Sequence, residues 1–205
     1  MEEERMPGWW GAKRKEVVAP GTDRLPPGQR VTRDWPVLHA GSIPRFSEAT
    51  WDFRVFGLVE RSLPFTWREF QALPRVQVVS DIHCVTAWSR FDNRWEGVAS
   101  REILSRVGVK PEARFVIVHA EQAYTTNLPL EALLDEDVLF ADTHDGKPLV
   151  PEHGFPLRLV VPKRYFWKSA KWVRGMELTA EDRPGFWEVR GYNNNADPRR
   201  EERYW

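Results

Sequence analysis

The sequence is poor in cysteine and has no excess of charge of either sign. Cys84 is the only cysteine among 205 residues, and one thiol can form neither a disulfide within the chain nor a zinc or iron–sulfur centre built from cysteines. Lys plus Arg and Asp plus Glu number 30 each, so no net positive field favours nucleic acid as a partner. No uninterrupted apolar run approaches the ~20 residues that span a membrane.

Several common site motifs are also missing. The chain has no glycine-rich dinucleotide or phosphate loop, no His-Glu-x-x-His helix and no Gly-x-Ser-x-Gly elbow. The acidic start of the chain resembles neither a signal peptide nor a twin-arginine signal, so we expect a cytoplasmic protein. Chemistry must therefore come from a cofactor that uses one protein sulfur, or from a thiol nucleophile.

The pattern of apolar residues predicts one domain with an arm. Residues 1–36 are rich in charge, Gly and Pro and are predicted to form an N-terminal arm packed on the domain of residues 37–205. Alternating or β-branched apolar runs predict seven strands, at residues 51–59, 76–82, 115–118, 138–141, 148–150, 157–161 and 172–178.

Short helices are predicted between these strands. Thr66 and Glu69 fit a capping box, Ser100 is predicted to cap a second helix, and Pro129 to begin a third. Asp145-Gly146 is typical of a hairpin turn. Many strands with short intervening helices predict an α+β fold built on mixed β-sheets.

The single thiol lies where a strand-like run ends, in Ser80-Asp-Ile-His-Cys-Val-Thr-Ala-Trp-Ser-Arg90. A thiol in this position, beside His83 and a few residues from Arg90, can be held as a thiolate. The alternative that Cys84 is a small core residue competes well when it is considered alone, because free cysteine is among the most buried residue types.

Two later motifs resemble the cofactor-binding signature of the sulfite oxidase family of molybdopterin enzymes. They are His153-Gly-Phe-Pro-Leu-Arg158 and Trp167-Lys-Ser-Ala-Lys171-Trp172, and they follow the cysteine in the family's order. The resemblance extends from about residue 37 to the end of the chain. It implies the sulfite-oxidase-type molybdopterin-binding fold and a mononuclear molybdenum bound by one pyranopterin dithiolene.

The resemblance also implies a role for individual residues. Cys84 would be the one protein ligand of molybdenum, because the pterin supplies the other sulfurs. Tyr192 resembles the family's active-site tyrosine, whose hydroxyl can bond an anionic substrate or a metal oxo group. Arg158 and Lys171 would bind the pterin phosphate. The complete set implied to bind the cofactor is His39, His153, Arg158, Ser169, Ala170 and Lys171.

Less specific interpretations compete with these roles. Arg158 and Lys171 lie on predicted strands, where a single charged side chain is usually solvated, and Lys168 is predicted to be a surface neighbour of the site. Arg90 could present a catalytic cation at the mouth of the pocket or pair with Asp92 on the surface, and the sequence favours neither.

The implied activity is oxygen-atom transfer to or from a small oxo-substrate, with electrons exchanged singly with an external redox partner. Sulfite oxidases carry an arginine where this chain has Leu38, and Trp205 is not followed by their C-terminal dimerisation domain. The chain is thus closer to the compact single-domain bacterial branch, and a sulfoxide is expected as readily as sulfite.

Two alternatives from other classes remain. One is a non-catalytic molybdopterin-binding module. The other is a hydrolase or transferase with Cys84 as its nucleophile. For the latter, His83 is a poor base because neighbouring residues on a strand point to opposite faces.

Overall fold

Two β-sheets packed face to face form the body of the protein. The structure is a computed structural model that describes residues 24–205, so residues 1–23 of the predicted arm lie outside the described residues. The strands in chain order are β1 (Arg30–Val31), β2 (Asp52–Gly57), β3 (Leu63–Thr66), β4 (Arg75–Cys84), β5 (Trp88–Ala99), β6 (Phe115–Ala120), β7 (Thr125–Pro129), β8 (Leu139–His144), β9 (Lys147–Pro148), β10 (Arg158–Val160) and β11 (Val173–Thr179).

The twelve-residue β5 organises the first, six-stranded sheet. It pairs with β4 and β8 in antiparallel fashion and with the short β1 in parallel, while β9 and β10 extend the sheet from β8. The second sheet has the order β3-β2-β11-β6-β7, in which only β2 and β11 run parallel. Mixed sheets with few short helices confirm the predicted α+β fold.

Successive side chains of β8 face two different apolar layers. Phe140 faces the second sheet, where its ring centre lies 5.1 Å from that of Phe53 on β2. Leu139 and Ala141 belong instead to a cluster that contains Trp95 and Cys84. Because side chains alternate along a strand, Cys84 lies on the outer face of the first sheet.

The helices are short. In α1 (Trp67–Gln71) the predicted capping box is confirmed, since Thr66 Oγ1 accepts from the amide of Glu69 and the Glu69 carboxylate accepts from the amide of Thr66. The α2 helix (Ser100–Ser105) begins after Ala99 instead, so the prediction that Ser100 is its cap was wrong. The Ser100 hydroxyl donates to buried carbonyls of the segment 133–138.

The remaining predicted elements are small. Residues Leu130–Leu134 form a 3₁₀ helix that follows Pro129, and the hairpin at Asp145-Gly146 is confirmed by left-handed φ values of 48° and 75°. No helix within residues 24–205 is long and apolar enough to cross a bilayer.

Candidate functional site

A cavity of about 410 Å³ lies beside the C-terminal end of β4. Seven of the predicted site residues line it: His39, Cys84, Arg158, Ser169, Ala170, Lys171 and Tyr192. They come from distant parts of the chain, namely the segment before β2, the end of β4, the start of β10, the loop before β11 and the C-terminal segment. The cavity thus brings together residues that the sequence separates by more than 100 positions.

Cys84 is nearly buried, with 7% of its surface exposed. Its Sγ lies 3.2 Å from Thr86 Oγ1, while the neighbouring His83 bonds Ser89 Oγ at 2.8 Å through Nδ1. Burial raises the pKa of the Cys84 thiol, and the Thr86 hydroxyl and the charge of Arg203 oppose this only in part. The expectation that His83 and Arg90 hold a thiolate was therefore wrong. A bound metal ion would supply the missing positive charge.

Arg158 is a buried cation without an acidic partner. It is 1% exposed, and Nη1 and Nη2 donate to the carbonyls of His153 and Ser169 at 2.8 and 2.9 Å. Its guanidinium carbon lies 4.2 Å from the ring centre of Phe166. Burial lowers its pKa to about 9, and its Nε is buried without a hydrogen-bond partner. The interpretation of Arg158 as a solvated strand residue was wrong, because β10 is buried on all three residues.

A second cation lies close to Arg158. Lys171 Nζ donates to the carbonyl of Glu152, and burial together with the charge of Arg158 lowers the pKa of Lys171 to about 7. Gly154, with φ of 113°, makes this proximity possible: a Cβ there would lie 3.0 Å from Arg158 Cβ and 3.2 Å from Lys171 Cβ. Within residues 24–205 no carboxylate lies at ion-pair distance from either cation, and the charge of Glu152 offsets the lowering of the Lys171 pKa only in part.

His153 and Ser169 lie close to the two cations. His153 is behind a residue that lines the cavity, and Ser169 is in the loop before β11. The His153 ring stacks on Trp35 with centres 3.8 Å apart, and it is Trp35 that lines the cavity. His153 Nδ1 is buried without a hydrogen-bond partner, and burial lowers the pKa of this imidazole to about 4. Ser169 Oγ accepts from the amide of Val161 at 3.0 Å. The imidazole is therefore neutral at neutral pH, and it supports Trp35 from outside the cavity.

Lys168 differs from its two cationic neighbours because it has a full set of partners. The prediction of a surface residue was wrong, since Lys168 is 0% exposed and its Nζ lies 2.7 Å from Glu188 Oε1. Its Nζ also donates to the Asn127 carbonyl at 2.9 Å. Glu188 Oε1 accepts in addition from Trp167 Nε1 at 2.9 Å. This buried pair therefore positions Trp167, which lines the cavity.

Aromatic rings form the part of the cavity around Tyr192. The Tyr192 ring centre lies 5.0 Å from that of Trp167 and 4.9 Å from that of Trp187. Burial is the main cause that raises the pKa of Tyr192, with the nearby Cys84 contributing. Its hydroxyl thus remains a hydrogen-bond donor at neutral pH. The side chains lining the cavity that carry formal charge are Glu121, Arg158 and Lys171.

The structure does not bring Arg90 to the cavity. Its guanidinium pairs with Asp145 at 2.8 Å and also donates to Asn93, because β5 directs it toward the hairpin between β8 and β9. The alternative pair with Asp92 is not formed either, since Asp92 binds Arg24 at 2.7 Å.

His39 belongs to a segment that crosses the cavity. His39 Nδ1 lies 3.0 Å from the Gly41 carbonyl oxygen, and its ring meets Trp172 edge-on. Gln122 fixes the end of this segment, because its amide donates to the Ser42 carbonyl and accepts from the Ser42 amide. Gln122 has a left-handed φ of 59°, a conformation that no sequence pattern signalled.

Two further lining or supporting residues escaped the sequence analysis. Tyr124 lines the cavity, and its hydroxyl donates to the Trp167 carbonyl at 2.9 Å. Glu188 accepts a hydrogen bond from Trp167 Nε1. Tyr124 lies just before the predicted helix at Pro129, and Glu188 in a polar C-terminal stretch. Neither has a spacing that would have marked it.

Comparison with known proteins connects this cavity to a family. Residues 40–187, more than half of the chain, match the family described as oxidoreductase molybdopterin binding domain. The chain is 50% identical over 182 residues to the oxidoreductase YuiH of Bacillus subtilis (strain 168), which covers 88% of this chain and 92% of YuiH.

More distant relatives carry more specific names. The chain is 29% identical over 170 residues to the "Putative protein-methionine-sulfoxide reductase subunit YedZ1" of Azospira oryzae, covering 82% of this chain and 64% of that protein. The solved structure of the sulfane dehydrogenase SoxCD from Paracoccus pantotrophus is similar with a TM-score of 0.64 and 25% identity, covering 70% of this chain and 41% of that one. The chain thus spans less than two thirds of either.

Proposed function

Since the chain belongs to the oxidoreductase family of molybdopterin-binding domains, we propose that it transfers an oxygen atom to or from a small oxo-substrate of the sulfite or sulfoxide type. Cys84 is then the protein ligand of the molybdenum. One observation carries this proposal: a buried thiol, the buried Arg158 and the half-buried Lys171 line the same cavity, and neither cation has a carboxylate within ion-pair distance among residues 24–205.

The cationic part of the cavity fits an anionic cofactor. Burying a charge is costly unless it gains a partner, and Arg158 Nε has none in the described chain. Arg158 and Lys171 are therefore suited to the phosphate of molybdopterin. Ser169 and Ala170 directly precede Lys171 and line the cavity, as does His39, which is available to the pterin. His153 lies behind Trp35 and would act on the pterin through that ring. A volume of about 410 Å³ lies within the ~300–1,000 Å³ of small-molecule sites.

The remaining cavity residues would act on the substrate. When bound, the cofactor supplies two-electron redox chemistry that moves an oxygen atom. Cys84 offers one soft ligand, and a coordinated thiol is deprotonated despite its burial. Tyr192 offers a hydroxyl donor to an oxygen of the substrate. Trp167, Trp187 and Tyr124 limit the access of water to this region.

A sulfoxide fits the aromatic part better than an oxyanion does. Apart from the two cations assigned to the cofactor, no cationic side chain of the described residues lines the cavity, and Leu38 at the rim is 50% exposed. A neutral substrate requires no such cation. The name of YedZ1, which refers to methionine sulfoxide, supports this choice. Electrons would be exchanged with an external one-electron partner, and the cytoplasmic location stays a prediction.

The thiol-nucleophile alternative loses support from the geometry. A nucleophilic cysteine needs a lowered pKa and a base within reach. Burial raises the pKa of Cys84, and the nearest histidine in sequence is bonded to Ser89. The non-catalytic binding module differs from the enzyme only in turnover, which the following measurement includes.

The first prediction concerns Cys84→Ser in protein produced by a host that makes the cofactor. Serine is almost isosteric but a harder ligand, so we expect sulfoxide turnover to fall to background while pterin remains bound through Arg158 and Lys171. Molybdenum by elemental analysis and pterin by fluorescence after denaturation are the measurements.

One control variant and two contrary outcomes complete this experiment. Thr86→Val removes the hydroxyl beside Sγ but leaves the thiol, and it should keep most of the turnover. Full activity of Cys84→Ser would disprove the metal-ligand assignment. Wild-type protein with metal and pterin but no turnover of sulfite, sulfoxides or N-oxides would favour the binding module.

A further inference from the structure

The turn that carries Cys84 is held by residues from the two ends of the described chain. It connects β4 to β5 through residues 85–87, and Ala87 closes it with a left-handed φ of 67° and an amide bonded to the Cys84 carbonyl at 3.0 Å. A turn in this conformation leaves other carbonyls in need of donors. Those donors come from outside residues 40–187, the part that matches the family.

Gln29 binds the turn from the N-terminal side. Its Nε2 donates to the Cys84 carbonyl at 3.0 Å, and its Oε1 accepts from Ser89 Oγ at 3.4 Å. The next residue, Arg30, donates its amide to the Ala87 carbonyl at 3.0 Å. The Gln29 side chain therefore adds a second donor to the first carbonyl of the turn, and the Arg30 amide satisfies the last.

Arg203 binds the turn from the C-terminal side. Nη1 donates to the Val85 carbonyl at 2.5 Å and Nη2 to the Gly28 carbonyl at 3.2 Å. The guanidinium carbon lies 5.2 Å from the ring centre of Tyr165, and the side chain is only 17% exposed. One guanidinium thus joins the Cys84 turn to the segment that carries Gln29.

We propose that Gln29 and Arg203 are positioning residues for the metal ligand, which fix the Cys84 turn and so determine the direction from which Sγ meets the molybdenum. The proposal rests on the proposed function, because it requires Cys84 to bind the metal. Groups that orient a ligand without touching the metal tune it, and their loss typically costs ~10–100-fold in metal affinity or activity.

The test uses the full, cofactor-loaded chain with Arg203→Met. The electron paramagnetic resonance signal of Mo(V), formed by partial reduction, reports the ligand geometry independently of turnover. We expect a shifted signal and a kcat that falls ~10–100-fold with little change in KM. Arg203→Lys should recover part of the wild-type signal, because it keeps the charge and one donor.

Arg200→Met is the matched control. Arg200 lies in the same C-terminal segment as Arg203, but its side chain is 72% exposed and its Nε pairs with Glu202 at 3.3 Å. Its removal should leave the signal unchanged. If Arg203→Met fails to fold, Gln29→Met takes its place, since it removes one donor to the Cys84 carbonyl and keeps Arg203.

The outcomes are distinct. A shifted signal, or loss of molybdenum with pterin retained, in Arg203→Met or Gln29→Met supports the proposal. Wild-type signals at wild-type molybdenum content in both folded variants overturn it. If Cys84→Ser itself keeps the wild-type signal, the proposed function has failed instead.

Discussion

The cations around the cavity differ in whether a carboxylate partners them. Lys168 is completely buried and paired with Glu188 and Asn127. Arg158 and Lys171 are hydrogen-bonded only to backbone carbonyls. Burial lowers the pKa of all three side chains, so their partners distinguish them and their pKa values do not. A cation paired with a buried carboxylate serves the fold, whereas one without such a partner carries a desolvation cost that a ligand removes.

The largest expected effect comes from breaking the paired group. Lys168→Met leaves the Glu188 carboxylate buried and uncompensated, which should lower the free energy of unfolding by about 3–5 kcal/mol. Urea unfolding of the cofactor-free protein measures it. The double variant Lys168→Met with Glu188→Gln removes both charges and should recover most of the loss. A single variant as stable as the wild type would contradict the structural role.

Removing Arg158 should have the opposite effect: a large loss of pterin occupancy and a small change in the free energy of unfolding. Arg158→Met loses charge-assisted bonds to the cofactor, each worth about 1.5–3 kcal/mol, so pterin occupancy should fall about tenfold or more. The free energy of unfolding of the cofactor-free protein should change by less than about 2 kcal/mol, because relief of desolvation offsets the two lost carbonyl bonds. Occupancy and urea unfolding are measured on the same preparation.

Arg75→Met serves as the control for loss of an arginine. Arg75 pairs with Asp142 at 2.8 Å and lies outside the cavity, so its removal should leave occupancy unchanged. Equal pterin occupancy in the wild type and in Arg158→Met would show that Arg158 has only a structural role.

The smallest effect on anion binding is a pH dependence from Lys171, whose pKa is lowered to about 7. The unfolded lysine titrates near ~10.4, so between these values the unfolded chain holds a proton that the folded chain lacks, and stability of the cofactor-free protein should rise with pH. Anion binding needs the charged form, so it should weaken by at most about tenfold per pH unit above 7.

Sulfate is a suitable probe of this effect, since its charge is constant over the window. Calorimetric titration at several pH values should show the weakening in wild type and its loss in Lys171→Met. Lys163→Met is the control, because Lys163 is exposed and paired with Asp135 at 3.0 Å. If sulfate binding is equally pH-dependent in Lys171→Met, the group whose titration controls binding is not Lys171.

Local signals in the sequence predicted much of the fold. Alternating or β-branched apolar runs located β2, β4, β6 and β11, and the Thr66–Glu69 spacing located α1, because these signals depend on neighbouring residues. The strand β5 was missed, since Arg90, Asp92, Arg94 and Glu96 interrupt its apolar pattern. Two of these charges have partners, because Arg24 of the N-terminal segment pairs with Asp92 and Asp145 of the β8–β9 hairpin pairs with Arg90.

The parts of the site that lie in one contiguous motif could be predicted from the sequence. The parts that depend on contacts between residues far apart in the chain could not. His153-Gly-x-Pro-x-Arg158 and Ser169-Ala-Lys171 led to one wall of the cavity. The inward direction of Lys168 depends on the 3₁₀ helix Phe166–Lys168 and on Glu188, twenty positions later. The contacts of Gln29 and Arg203 with the Cys84 turn depend on both ends of the chain, which no local spacing reveals.

Gly154 links the conformation of a loop to the arrangement of the two cations of the cavity. Any other residue there would have to adopt a φ of 113° and force a Cβ against Arg158 and Lys171, a conformation that only glycine adopts without cost. The backbone of this turn and the proximity of the two cations therefore depend on one residue, so a substitution at position 154 would disturb the loop and the binding of an anion together.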